Sequence, residues 1–172
     1  MKYLVYSLWF QLVWLVAVLG QQTLLPWLLA LLFVNAVIIH RYFSFPIWLP
    51  LVIAMLGVVL DILNRGLGVF EFSTPRFPLW LVCLWVAFGA YLLVMTPVLK
   101  QLGLFAVAVI GALAGAISYW AGFKLGVVTW PRGENATVII LAIEWGIMLP
   151  VLHHLAVRML KRAGGKHALS TE

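Results

Sequence analysis

The stretch FPLWLVCLWVAFGAYLLVMTPVL, Phe77–Leu99, decides the fold class. It carries no charged side chain over its whole length. A helix rises about 1.5 Å per residue, so about 20 apolar residues cover the roughly 30 Å of bilayer hydrocarbon. Outward from it, the same reading applies at residues 3–20, 24–40, 45–64, 103–122 and 137–154. None of these runs alternates as a barrel strand would, and each is longer than one. The predicted fold is an all-α, polytopic membrane bundle of six transmembrane helices in one domain over 1–157, with a basic tail over 158–172.

Composition agrees. Of 172 residues, 65% are apolar, and 11 Lys and Arg face 5 Asp and Glu. Soluble domains carry about 45–50% apolar and about 25% charged residues, so a water-soluble globule is excluded. The net charge of +6 is scattered between apolar runs, which argues against nucleic-acid binding. Short loops leave no room for a soluble domain. The first span reads as a retained helix, because Gly20-Gln21-Gln22 is not a small-residue cleavage site. Thr23 with Pro26, Ser44 with Pro46, and Thr74 with Pro75 each pair a capping residue with a first-turn proline.

Basic residues set the expected orientation. Lys2, Arg41, Lys100, Arg158, Lys161, Arg162 and Lys166 fall on one side, and Arg65, Arg76, Lys124 and Arg132 on the other. Both termini are therefore expected in the cytoplasm. The tail Arg158–Lys166 suits anionic headgroups or serves as an ordinary positive-inside anchor. A faint echo links Leu67-Gly68-Val69 after the third span with Leu125-Gly126-Val127 after the fifth. Each precedes an aromatic residue (Phe72, Trp130) and a Pro-Arg pair (Pro75-Arg76, Pro131-Arg132). A repeated two-helix unit and a chance likeness both fit.

Polar groups inside hydrocarbon are costly, which makes them candidates for function. Glu144 lies seven residues into the last span, before Trp145, Gly146 and Pro150. It can serve as a desolvated acid or as an interhelical hydrogen-bond partner. Asp61, Asn64 and Arg65 share a face of the third span, and Asp61 and Arg65 are spaced for a local ion pair or for gripping a polar ligand. Gln11 and Asn35 read as bonds between neighbouring helices. His40, His153 and His154 fall at similar depth without the spacing of a metal or haem site, so no metal and no cofactor is expected. Cys83 is the only cysteine and makes no disulfide within the chain.

Trp27, Trp80, Trp85, Trp120, Trp130 and Trp145 cluster toward the outer side, against Trp9 and Trp48 on the inner side and Trp14 near the middle. An outward-facing aromatic pocket or a thick interfacial belt explains this. The candidate ligand-binding residues are Glu144, Asp61, Arg65, Gln11, Tyr119, Trp80, Trp85 and Trp145. In the fifth span, Gly111, Gly115, Ser118 and Gly122 form a small-residue packing face.

Phe10-Gln11 with Trp14, Leu60-Asp61 to Leu67-Gly68, Pro78-Leu79-Trp80 with Leu84-Trp85 and Phe88, and Gly115 through Tyr119-Trp120-Ala121-Gly122 to Leu125-Gly126 occur in one order. This pattern resembles the bacterial inner-membrane family called domain of unknown function 2878. The chain departs from it at Leu92-Leu93-Val94, where members carry a polar run, and at Ala116-Ile117-Ser118, where a proline precedes the tyrosine. The resemblance implies a multi-pass bundle in the inner membrane and a gene neighbourhood of membrane fatty-acid modification.

Three roles follow. One is a non-enzymatic accessory or scaffold component, touching membrane lipids and a membrane-protein partner through helix faces such as Gly111–Gly122. Another is a small-molecule or lipid carrier using the outer aromatic pocket. The third is an intramembrane lipid-modifying enzyme with Glu144 as acid or base.

Overall fold

The computed structural model describes residues 1–43, 45–74 and 76–164. Ser44, Pro75 and Lys166, named above, lie outside the described residues. The order is α1 (Lys2–Gly20), α2 (Leu25–Tyr42), α3 (Trp48–Gly66), β1 (Glu71–Phe72), α4 (Leu79–Leu99), α5 (Leu104–Lys124), β2 (Val128–Thr129) and α6 (Glu134–Arg162). All six helices are long and apolar enough to cross a membrane. The two short strands pair antiparallel, Glu71 with Thr129 and Phe72 with Val128, an addition that hydropathy alone does not reveal.

Three boundaries differ from the sequence reading. Thr23 does not cap α2: its N–H bonds the Gly20 carbonyl in a tight turn, and Leu24 takes the cap position. Thr74 does not cap α4 either. Its hydroxyl donates to the Arg76 carbonyl at 3.1 Å and turns the loop, while Pro78, with φ near −71°, starts the helix. The last helix continues past 154 to Arg162, so Arg158, Lys161 and Arg162 belong to its final turns. Gly164, at φ 75°, ends it in the left-handed conformation that glycine adopts at no steric cost.

By packing, the chain forms two compact units. The first comprises Met1–Val58, Pro78–Gln101 and His153–Glu172. Its centre is α4, which is apolar on all sides and packs against α1 and α2. The contact is closed by aromatic and polar side chains together. Phe10 stacks on Tyr91 at 4.6 Å between centroids, and the Ser7 and Tyr91 hydroxyls lie 3.2 Å apart. Asn35 accepts from the Tyr6 hydroxyl at 2.7 Å and from the Trp9 indole at 3.1 Å, so one carboxamide oxygen ties α1 to α2. Close approach on the other side of α4 needs glycine. A Cβ on Gly89 would meet the Pro50 carbonyl, and one on Gly57 would enter the Trp85 ring.

The second unit comprises Val59–Phe77 and Leu102–Leu152. Here α5 lies against α6 over its small residues. A Cβ on Gly111 would collide with the Trp145 carbonyl and Leu149, and one on Gly115 with the Trp145 side chain. At those two positions the small-residue face is covered by α6. Gly122 is buried with open space at its missing Cβ; its carbonyl instead accepts the Val127 N–H. Replacing Gly115 by valine should therefore push α5 off α6 and cost about 1–3 kcal/mol or more. Gly66→Ala, at a site with no neighbour within 4 Å, should be near neutral. Unfolding curves of the two variants in detergent micelles compare them directly; equal stability would contradict this packing.

Candidate functional site

Two similar helix ends build the site in the second unit. After α3, Val69 N–H bonds the Asn64 carbonyl and Gly68 N–H the Arg65 carbonyl, at 2.9 and 3.0 Å. After α5, Val127 bonds Gly122 and Gly126 bonds Phe123 at the same two distances. Both are Schellman caps with a left-handed glycine, Gly68 at φ 66° and Gly126 at φ 72°. The Leu-Gly-Val echo in the sequence is this cap, made twice. The strands that follow pair with each other, which sets the end of α3 beside the end of α5.

Below the strand pair, the polar side chains meet. Tyr119 donates its hydroxyl to Asp61 Oδ1 at 2.5 Å, joining α5 to α3. One turn nearer the strands, Asn64 Nδ2 donates to both oxygens of Glu144, at 2.9 and 2.8 Å, joining α3 to α6. Asp61 is fully buried, Asn64 is buried, and Glu144 and Tyr119 are half-buried. Aromatic rings enclose this cluster. Phe70, fully buried, lies 5.5 Å from the Tyr119 ring, and Trp145 lies 6.2 Å from it. Thr137, buried at the top of α6, donates to the Val69 carbonyl at 3.4 Å.

A rim of charge surrounds the strand end. The Arg132 guanidinium donates to the Leu67 carbonyl at 2.6 Å and the Gly68 carbonyl at 3.2 Å, placing a cation on the negative end of the α3 dipole. Glu134, at the start of α6, accepts from the Trp120 indole at 2.7 Å and the Lys124 ammonium at 2.8 Å. Arg65 is half-buried and its Nη2 donates to the Thr74 carbonyl at 3.5 Å.

Of the residues expected at a site, Glu144, Asp61, Arg65, Tyr119 and Trp145 fall in this unit. Gln11, Trp80 and Trp85 belong to the other. Trp80 and Trp85 are buried along α4, Trp85 against Gly57. Gln11, expected to bond a neighbouring helix of the bundle, instead stands exposed at the midpoint of α1. Asn64 is the residue whose part the site expectation omitted. Its signal was present, three residues after Asp61 on the same helix face.

Chemically, the cluster is a set of matched donors and acceptors. Each acid receives a hydrogen bond from a neutral side chain on another helix, which orients the carboxyl without a nucleophile attached to it. Interhelical bonds of this kind are worth about 0.6–2 kcal/mol in apolar surroundings. A double-mutant cycle of Asn64→Ala and Glu144→Ala, read by unfolding in detergent, should return a coupling of that size. Additive losses would mean that the two side chains do not act on each other.

No curated protein and no solved structure matches the chain. The family described as "Protein of unknown function (DUF2878)" matches residues 3–151, nearly the whole chain, in agreement with the resemblance carried by its motifs. The chain belongs to that family.

Proposed function

We propose that the chain is a non-enzymatic, multi-pass component of the bacterial inner membrane, with both termini in the cytoplasm, accessory to a system that modifies membrane lipids. The observation that carries this reading is the use made of the intramembrane acids. Glu144 is held through both oxygens by Asn64, and Asp61 is held by Tyr119. Such pairs lock helices together. The accessory reading takes both carboxyls as interhelical ties, each satisfied by a donor from another helix. The membrane-lipid setting rests on the family's implied gene neighbourhood and on the apolar character of all six helices.

The carrier reading is supported by one feature, the half-buried carboxyl of Glu144 near Tyr119 and Trp145. A carboxylate among aromatic faces suits a cationic or amphipathic headgroup. It ranks second because the same carboxyl already accepts two short contacts from Asn64.

Lipid profiles of cells with and without the gene separate these readings. Deletion should alter the membrane lipid composition. A Glu144→Gln copy should restore it to within about twofold of wild type, since an amide oxygen still accepts from Asn64. A Glu144→Leu copy should restore it poorly, by weakening the α3–α6 lock. If the glutamine variant accumulates folded in the membrane yet restores nothing, Glu144 is a chemical acid and the accessory reading fails. An unchanged profile on deletion removes the lipid link.

A further inference from the structure

Gln11 is a polar side chain of the first unit whose position the packing within that unit does not explain. It lies at the midpoint of α1, where a helix of this length would place it in the middle of the hydrocarbon. The buried side of α1 carries Tyr6, Val13 and Ala17. Gln11 is on the opposite side, exposed, and among the described residues nothing bonds its carboxamide. Lipid tails offer an amide neither donor nor acceptor, so an outward carboxamide at this depth calls for a protein partner.

The residues around it say which partner fits. Leu4, Leu8, Gln11 and Leu15 are all exposed and are spaced four, three and four apart. This is the seam of two helices packed at a shallow left-handed crossing, with a single polar residue in the seam. Val5 and Leu12 flank it, also exposed. A carboxamide carries both donor and acceptor, so it is complementary to a copy of itself across a two-fold axis. We infer that α1 is a homodimerisation surface: a second copy of this chain, in the same orientation in the membrane, packs along Leu4, Leu8, Gln11 and Leu15, with the two Gln11 carboxamides hydrogen-bonded at the centre.

This inference does not depend on the accessory reading, since none of these residues belongs to the Asp61–Glu144 cluster. The test uses full-length protein in phosphatidylethanolamine–phosphatidylglycerol vesicles, labelled with donor or acceptor fluorophores at the C-terminus. Energy transfer should persist as lipid is added, up to a defined dissociation point. Gln11→Leu should weaken association by about 3- to 30-fold, the range given by one interhelical amide bond. The fold should survive, because among the described residues this substitution removes no side-chain hydrogen bond within the chain. Gln11→Asn should recover most of the association.

Disulfide trapping fixes the geometry independently. In a Cys83→Ser background, Leu8→Cys and Leu15→Cys should each give a covalent dimer, and Val13→Cys, on the buried side, should not. The surface is overturned if transfer vanishes at the first lipid dilution, or if Gln11→Leu associates as well as wild type. It is overturned equally if Leu8→Cys captures only a different protein in native membranes and never its own copy in vesicles.

Discussion

Hydrocarbon supplies no hydrogen bonds, and every polar group that six apolar helices carry must find its partner in protein. The internal pairings follow from that constraint. Asn35 is met by Tyr6 and Trp9, Glu144 by Asn64, and Asp61 by Tyr119. Each joins residues on different helices, so satisfying the polar group and choosing the neighbouring helix are one event. Apolar side chains alone would not discriminate, because lipid tails are as apolar as leucine. Few polar residues therefore specify much of the arrangement, and removing one loosens a helix pair.

The second unit adds an internal symmetry to this logic. Asp61 and Tyr119 are 58 residues apart, the same offset that separates the two Leu-Gly-Val caps and the paired residues Glu71 and Thr129. The offset continues upstream to Gly57 and Gly115, each of which lies under a tryptophan of a later helix, Trp85 in one unit and Trp145 in the other. The two helix–cap–strand segments place an acid and a phenol at matched positions, and there the phenol donates to the acid.

The spans were legible because hydrophobicity is additive along a helix and needs no tertiary information. Their ends were less so. Threonine before proline is a fair sign of a helix start, yet Thr74 spends its hydroxyl on the Arg76 carbonyl, and α4 begins only after Pro78. The Leu-Gly-Val echo was visible, but its meaning required knowing that the two segments pair. The site was legible in part. Asp61, Tyr119 and Glu144 stood out by cost, whereas their pairing depends on helix order, which hydropathy does not contain. Asn35 and Gln11 illustrate the limit: both are amides in apolar helices, and only the packing distinguishes the one facing inward from the one facing out.

The strand pair, only two residues on each side, carries more than its length implies. Asp61 lies ten residues before Glu71, and Tyr119 ten residues before Thr129, with the same cap between. Setting Glu71 opposite Thr129 therefore sets Asp61 level with Tyr119, and a slip of the strands would carry the phenol away from the carboxyl. Arg132 reinforces that register from the far side, since its bonds to the Leu67 and Gly68 carbonyls tie the strand that precedes α6 to the end of α3. The same tie sets where α6 begins, and so the depth at which Glu144 reaches Asn64. A short clip at the loop end thus sets two hydrogen bonds deeper in the apolar part of the unit, which is why loop and helix residues here form one mechanical element.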